Sequence, residues 1–583
     1  MSPIDYGIVV LYFVVVIGLG FWYQKRASKG LESYFLGGRS MHWLALAMSG
    51  SVSTFDISGT MWIVSIIFVL GMKSMWHHWM WGVMMGAFFM AYMGKWVRRS
   101  NVLTAAEWMV TRFGSGPAGV TARTAYALMA VVTLSSFVGY AYQGIGKFAS
   151  IYLNLSPFLC AIIIIGTTTL YVIMGGLYSV VLTQVLQTVI LTFSGILIAV
   201  IAYVKLTPEL LSRTLPAHWT SLIPQWRIPE FAGTENAGFE FFGALVIIWV
   251  LKGLVLNAGG PAQMYDFQLF LAARNPRDAA KLGGAWSFFL IVRWAMTMGI
   301  ALLALTGIAN VTDPEKVMPM VLQQFLPVGI RGIVIAGLFA AFMSTFSATV
   351  NSAASFIVRD FLQPFFRPDA SQKQLVLYSR VATVAVVLVG ILIGVRANSI
   401  AQIWNWIMMA LGAAMLVPNA LRWYWWRMTG WGFAAGTVAG LIMSLIALFY
   451  PEAPMYKVFP PICIGSLLAT IIVSLLTRPV DEKTLTKFYR TVRPFGLWKP
   501  VKERAGLPVE VLNDKSEKMS LAIFNVVLGI IAVTGYYLAP MYLVGHWNTY
   551  AAICFVVAIS ATAVLAVTWY RHLPAEDEKV GTD

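Results

Sequence analysis

The chain has 583 residues and a formal net charge of +16, with 59% hydrophobic and 11% charged residues. A soluble domain carries about a quarter charged residues, so this composition excludes a soluble globular protein. The basic residues lie in loops between apolar runs rather than along one amphipathic face, which argues against a nucleic-acid partner. The three cysteines lie far apart within apolar runs, so neither a disulfide framework nor a metal cluster is indicated.

Apolar runs of about 20 residues, long enough to cross about 30 Å of hydrocarbon as helices, recur from Tyr6 to Tyr570. The first run, 5–23, has no basic region before it and Lys25, Arg26 and Lys29 directly after it. We therefore predict a retained helix with its N-terminus outside. Further spans are predicted at 42–72, 74–97, 124–148, 156–174, 176–203, 239–262, 283–309, 330–358, 377–396, 399–421, 429–450, 458–477, 519–539 and 550–571.

This pattern predicts an all-α polytopic membrane protein with 15 spans and a cytoplasmic C-terminus. Lys and Arg are concentrated in the predicted inner loops, as the positive-inside rule requires. The predicted units are an N-terminal helix and inner loop (1–41), two five-helix blocks (42–203 and 239–421), four C-terminal helices (429–571) that enclose a basic inner loop (478–518), and an inner tail (572–583). Because five is odd, the second block is inserted upside down relative to the first.

The first helix of each block contains a polar interruption. One is Ser51–Gly59, which includes Asp56, and the other is Asn257–Ala262. Paired interruptions in inverted halves are typical of a transporter site, because unwound backbone exposes carbonyls and helix ends to a solute or ion. The alternative is that Gly and Pro only kink these helices or allow close packing.

The eighth helix of the ten-helix unit contains adjacent hydroxyls at Ser344 and Thr345, and the carbonyl of Ala341 lies one turn earlier on the same side. Two carbonyls from the first interruption would complete a cage of five oxygens. A neutral oxygen cage suits a monovalent cation better than Mg²⁺ or Ca²⁺. The alternative is a packing seam in which the hydroxyls bond to the preceding turn.

Five stretches of the sequence are distinctive: SYFLGGRS at 33–40, GGLYSVVLTQVLQ at 175–187, LAAR at 271–274, the segment 332–352 and LTKFYRTVRPFGLW at 485–498. Together they resemble the sodium:solute symporter family. The resemblance implies a LeuT-type fold of five plus five inverted helices, with one extra N-terminal and four extra C-terminal helices. It also implies a transporter rather than an enzyme, with Na⁺ as coupling ion and no cofactor.

By this resemblance, the sodium ligands are the carbonyls of Thr54, Ile57 and Ala341 and the hydroxyls of Ser344 and Thr345. Many members carry Asp where this chain has Gln184, so a second sodium site is not expected. Asp56 and Gln184 are the residues expected to support the cation, with the charge of Asp56 offsetting the missing carboxylate. The pattern DISG at 56–59 resembles the proline-type branch, whereas the chain length and the C-terminal helices resemble the sugar-type branch.

Other residues are candidates for solute contact. The predicted solute ligands are Asp56, Ser58, His78, Asn257 and Asn405. His78 belongs to the aromatic segment 75–81, which is either an interfacial belt or an outer gate. Lys252 and Arg293 lie inside predicted spans, where each either binds an anionic group of the solute or has a structural role.

We therefore expect sodium-coupled symport of a small polar organic solute across the plasma membrane, with a sugar or sugar acid favoured. The alternatives are a sodium- or proton-coupled amino acid or carboxylate symporter, or an uncoupled facilitator. The six histidines are scattered over unrelated loops and ends, which argues against an enzyme site in the membrane. The expected partners are the solute, Na⁺ and the lipid bilayer.

Overall fold

The computed structural model describes residues 1–27, 41–102, 104–174, 177–234, 236–260, 266–308, 311–450, 453–508, 511, 514–576 and 578. Some residues discussed above lie outside the described part of the chain: the stretch 33–40, Gly175, Gly176, Pro261, Ala262 and the last residues of the tail. Within it the chain is helical and forms no β-sheet. The prediction of an all-α protein is confirmed.

The first block follows α1 (Pro3–Ala27). It contains α2 (Trp43–Ser53), α3 (Ile57–Leu70), α4 (Pro117–Leu153), α5 (Pro157–Met174) and α6 (Leu177–Lys205). The second span of this block, predicted at 74–97, lies between α3 and α4 and is irregular. It consists of short helices at Ser74–His77, Met85–Phe88 and Gly94–Arg99, tighter turns at His78–Met80 and Gly82–Met84, and a π-helical turn at Phe89–Met93.

The second block begins after a long connection. It contains α7 (Phe242–Ala258), α8 (Asp266–Ala272), α9 (Pro276–Phe289), α10 (Ile291–Gly307), α11 (Ile330–Ser355), α12 (Gln372–Arg396), α13 (Ile400–Asn405) and α14 (Gly412–Tyr424). Short helices at Pro208–Thr214 and Val317–Phe325 lie in connections. π-Helical turns at Phe356–Leu362 and Trp406–Leu411 extend α11 and join α13 to α14.

The C-terminal part contains α15 (Gly430–Ile446), α16 (Met455–Leu476), α17 (Glu482–Val492), α18 (Met519–Val544) and α19 (Asn548–Thr568). Among the described residues, ten helices are long and apolar enough to cross a membrane. Shorter apolar helices include Trp43–Ser53, Phe242–Ala258 and Gly430–Ile446. The exact count of 15 spans stays a prediction.

The interrupted span 42–72 is the first span of the first block, and its two halves, α2 and α3, lie at the centre of the packing. α2 contacts α6 and α9, while α3 contacts α4 and α10. α11 packs against α4 and α6 and therefore lies beside the interruption. The N-terminal α1 packs on the outside of α11. This arrangement brings residues from both five-helix blocks to the point where the first span is broken.

Ion pairs join loops that the topology places on the same side. Arg331 pairs with Asp5 at 2.6 Å, and both are predicted to lie near the outer face. Arg123 pairs with Asp360 at 2.6 Å, and both are predicted to lie near the inner face. These pairs agree with the predicted sorting of loops into two sides, while the assignment of one side to the cytoplasm stays a prediction.

The basic segment 478–518 is a folded cap rather than a solvated loop, and we call its described residues the inner cap. The Nε1 of Trp498 donates to the Trp423 carbonyl at 2.7 Å, and Trp498 is buried. The Arg112 guanidinium lies 4.7 Å from the Trp498 ring and 5.4 Å from the Phe488 ring. Aromatic and cation–π contacts therefore fasten the inner cap to the predicted inner ends of the helices.

Candidate functional site

A cavity lies at the interruption between α2 and α3. Its walls come from the α2–α3 junction, the irregular segment around Trp81, α4, α10, α11 and α13. Its lining residues are Ser53, Thr54, Asp56, Ser58, Gly59, Trp62, Ile63, Trp81, Phe137, Val138, Tyr140, Ala141, Arg293, Phe342, Thr345, Phe346, Thr349 and Trp404. Aromatic walls with a few convergent polar groups suit a small organic ligand.

The interruption itself is built by Asp56. α2 ends at Ser53, and Asp56 caps the start of α3 because its Oδ2 accepts a hydrogen bond from the Gly59 amide at 3.0 Å. The hydroxyl of Thr60 donates to the Asp56 carbonyl at 2.6 Å. Asp is among the best N-cap residues, so the motif DISG restarts a helix inside the span. The predicted break at 51–59 therefore lies at these residues.

Arg293 connects α10 to this break. Its Nη1 donates to the Thr54 carbonyl at 2.6 Å, and its Nη2 donates to the Thr60 hydroxyl at 3.2 Å. Its Nη2 also lies 3.7 Å from Asp56 Oδ1, and the guanidinium lies 5.1 Å from the Phe55 ring. Arg293 is buried but lines the cavity. Of the two roles that the sequence left open for Arg293, the structural one is visible in these contacts.

Thr345 brings α11 to the end of α2. Its hydroxyl donates to the Ser53 carbonyl at 2.8 Å and lies 3.1 Å from the Ala341 carbonyl. Ser53 was not among the predicted residues. The sequence did contain a signal for Ser53. The last carbonyls of a helix lack donors within that helix, and Ser53 lies in the predicted interruption, where α2 ends. The predicted ligands Ala341 and Thr345 are thus in contact, and Thr54 lines the same cavity as Thr345, while their binding of a cation stays a prediction.

Ser344 and Gln184 belong to a separate set of hydrogen bonds between α2, α6 and α11. The Gln184 amide nitrogen donates to the Ser344 hydroxyl, and the Gln184 carbonyl oxygen accepts from the Ser49 hydroxyl. Thr188 donates to the Met48 carbonyl at 3.1 Å. The neutral side chain of Gln184 therefore links α2, α6 and α11, and it uses both ends of its amide to do so.

The predicted solute ligands divide into two groups. Asp56 and Ser58 line the cavity. His78, Asn257 and Asn405 do not line it. His78 is buried against Trp62 and Trp294, with ring centroids 5.4 Å and 4.7 Å away. The Asn257 amide donates to the Gly253 carbonyl of its own helix at 2.7 Å.

Aromatic residues that sequence reasoning did not single out form much of the wall. Trp404, which directly precedes Asn405, lies 5.1 Å from the Trp62 ring and 5.3 Å from the Tyr140 ring. Trp81 of the predicted aromatic segment also lines the cavity and lies 6.4 Å from Trp404. Neighbouring residues on a helix point about 100° apart, so the register of α13 decides that Trp404 faces the cavity.

Lys252, the other basic residue predicted within a span, lies elsewhere. Its ammonium donates to the Met80 carbonyl in the irregular span 74–97. Its Nζ also lies beside α14, since a Cβ added at Gly412 would be 3.5 Å from it. Lys252 does not line the cavity, and its described contacts are structural.

Comparison with known proteins identifies the fold and the family. The model of the sodium:solute symporter family matches residues 34–440, which is more than half of the chain. The solved structure of a Na⁺-coupled sialic acid symporter in a substrate-bound outward-open state superposes with a TM-score of 0.65 at 18% identity. That match covers 82% of this chain and 99% of that one, and it confirms the expected LeuT-type fold.

Relatives of known function lie at about a quarter identity. The osmoregulated proline transporter OpuE of Bacillus subtilis is 24% identical, covering 80% of this chain and 94% of that protein. The sodium/glucose cotransporter of Vibrio parahaemolyticus is 26% identical, covering 77% and 86%. The sodium/proline symporter of Haemophilus influenzae is 24% identical, covering 85% and 98%. The chain therefore belongs to the sodium:solute symporter family, which makes it a membrane transporter with sodium as its coupling ion.

Proposed function

We propose that the chain carries a small polar organic solute into the cell together with sodium, by alternating access, and that a sugar or sugar acid is the favoured solute. The observation that supports this most directly is the cavity at the break between α2 and α3. There, the Ser53 carbonyl at the end of α2 accepts a hydrogen bond from the hydroxyl of Thr345 on α11. The solute and the ion would bind beside each other at this break.

The ion would bind to the carbonyls of Thr54, Ile57 and Ala341 and to the hydroxyls of Ser344 and Thr345. Such a neutral oxygen cage favours a monovalent cation. Asp56 lies between two of the proposed ligands in sequence and caps α3. A carboxylate about 6 Å from the ion would contribute about 3 kcal/mol at an effective dielectric of about 20.

The solute would bind between the polar break and the aromatic wall. The apolar faces of a sugar ring would pack on Trp62, Tyr140 and Trp404, while its hydroxyls would meet Asp56 and Ser58. Because binding of the ion orders the break, it would raise the affinity for the solute. By linkage the solute would raise the affinity for sodium by the same factor.

An amino acid is the second candidate solute. Asp56 and Arg293 carry opposite charges, lie 3.7 Å apart and line the same cavity. A pair of opposite charges complements a zwitterion better than it complements a neutral sugar. The proline transporters among the relatives support this alternative.

Uptake into proteoliposomes tests the proposal. An inward sodium gradient should drive accumulation of one solute from a panel of sugars, sugar acids and amino acids above its external concentration. A choline gradient and protein-free liposomes are the controls. Equilibration without accumulation under both sodium and proton gradients would reduce the protein to a facilitator. Accumulation of an amino acid only would replace the sugar assignment.

We also place the protein in the plasma membrane with its N-terminus outside and its C-terminus in the cytoplasm. Support comes from the concentration of Lys and Arg in one set of loops, including the inner cap. Single cysteines introduced at exposed loop positions and labelled in intact cells would report which face is outside.

A further inference from the structure

We propose that Arg293 is a tethered competitor of the sodium ion. Its guanidinium holds the Thr54 carbonyl that the ion would use, so Arg293 sets the sodium concentration at which the transporter loads. The inference rests on the proposed sodium site and goes beyond it, because it assigns a role to a residue outside the five proposed ligands.

The contact with Thr54 is a built feature of the fold. Arg293 stands in the first turn of α10, directly after the break between α9 and α10. Its two terminal nitrogens are held by the Thr54 carbonyl at 2.6 Å and the Thr60 hydroxyl at 3.2 Å. The Phe55 ring lies 5.1 Å from the guanidinium. Backbone, hydroxyl and aromatic partners therefore fix the charge at the end of α2.

Sodium at the Thr54 carbonyl would lie only a few ångströms from this guanidinium. Two positive charges at that separation repel each other strongly, and salt screens buried charges far less than exposed ones. The carbonyl is also a stronger ligand for the ion when it does not share its electron density with an ionised donor. Arg293 therefore opposes sodium both by repulsion and through the shared oxygen.

Asp56 provides a second route by which Arg293 could affect the ion. Its carboxylate lies 3.7 Å from Arg293, so part of its field at the ion is cancelled by the guanidinium. Removing the charge of Arg293 would therefore favour sodium directly and also through Asp56. A double-mutant cycle separates the two routes, because the direct one persists when Asp56 is neutral. Asn retains the N-cap of α3, so Asp56→Asn changes the charge with little effect on the helix.

The experiment measures sodium binding to the purified full-length protein without solute, by calorimetry, with choline keeping the ionic strength constant. Arg293→Gln should lower the sodium Kd about tenfold in the wild-type background. A smaller decrease should persist in the Asp56→Asn background, because only the direct route remains there. Arg422→Gln is the matched control, because Arg422 is also buried, lies 4.7 Å from the Trp108 ring and does not line the cavity. Its sodium Kd should equal that of the wild type.

Each other outcome counts against the proposal. An unchanged or higher Kd in Arg293→Gln overturns it, and a decrease that vanishes in the Asp56→Asn background assigns the effect to Asp56 alone. Absence of sodium binding in the wild type overturns the proposed sodium site together with this inference. If Arg293→Gln does not purify as a folded protein, Arg293→Lys replaces it. That shorter side chain should lower the Kd by a smaller factor, and a Kd equal to or above the wild-type value overturns the proposal.

Discussion

Thr345 joins the two five-helix blocks, because its hydroxyl lies between the carbonyls of Ser53 and Ala341. We expect Thr345→Ala to raise the half-saturating sodium concentration about tenfold, which corresponds to about 1.4 kcal/mol. Ser344→Ala should act in the same direction. Thr345→Ser retains the hydroxyl and should stay near the wild type. Sodium-dependent uptake measures the effect of all three substitutions. An unaltered sodium dependence in both alanine variants would mean that the two hydroxyls only pack between helices and do not bind the ion.

Gln184 raises a different question at the residue scale, because its neutral amide stands behind Ser344. Gln184→Asp adds a negative charge there, so we expect a stronger sodium dependence or more sodium ions moved per solute. Gln184→Asn has the same length as Asp without the charge, so it controls for the loss of one methylene. The ratio of charge to solute transported in proteoliposomes measures the effect. Complete loss of sodium dependence in the Asp variant alone would make Gln184 itself a ligand.

At the scale of elements, close packing of α4 against the start of α3 holds the cavity in shape. A Cβ added at Gly144 would lie 2.0 Å from the Ser58 hydroxyl and 2.8 Å from the Ser58 Cα. Gly144→Ala should therefore destabilise the protein by about 1–3 kcal/mol and weaken solute uptake, because Ser58 lines the cavity.

The α5 residue Gly166 offers a matched control for that substitution. No atom lies within 4 Å of the position that its Cβ would take. Gly166→Ala should not lower the melting temperature of the purified protein and should leave its uptake unchanged. If Gly144→Ala melts and transports like the wild type, α3 and α4 do not need this close approach.

At the scale of the whole molecule, ion pairs connect the inner cap and the C-terminal tail to the inner end of the irregular span 74–97. Glu517 pairs with Lys95 at 3.2 Å and with Arg99 at 2.8 Å, and its side chain is only 11% exposed. Glu578 pairs with the same Arg99 at 3.0 Å and with Arg493 at 3.4 Å. These contacts join the cap, the tail and the inner end of the second span in one network of charges.

Removing Glu517 from this buried network should be costly, because Lys95 loses its carboxylate partner and Arg99 loses one of its two. We expect Glu517→Gln to lower the free energy of unfolding by about 3–5 kcal/mol at neutral pH. Glu482→Gln is the control, since Glu482 pairs with Arg504 at 3.7 Å with both side chains more than half exposed. Its thermal stability should not change measurably. Equal melting temperatures for the two variants would show that the network contributes little.

The same network predicts a dependence on pH. Burial acts to raise the pKa of Glu517, but the charges of Arg99 and Lys95 outweigh it and hold that pKa below its usual value. The stabilisation is therefore fully present above the unfolded pKa of about 4.3 and is lost as the pH falls toward the lower folded value. The difference in melting temperature between wild type and Glu517→Gln should shrink below about pH 4. A difference that grows on acidification would contradict this sign.

Much of the fold could be predicted from the sequence, because in lipid each span must be apolar and must satisfy its own backbone hydrogen bonds. The break at 51–59 was visible for the same reason, since polar residues and a carboxylate interrupt an apolar run. The hydroxyl pair Ser344 and Thr345 followed from its helical spacing. Their contacts did not, because Ser53 and Gln184 come from other helices that pack against α11 only in the folded chain.

The sequence by itself determined that this chain is a polytopic helical protein, where its first span breaks, and which residue types could hold a cation. The tertiary structure alone decided that Arg293 reaches Thr54, that Trp404 rather than Asn405 lines the cavity, and that Lys252 lies away from it. The physical reason is that apolar periodicity is a property of each segment. By contrast, the partner of a buried charge depends on helix register, crossing and approach, which arise only when segments distant in sequence pack together.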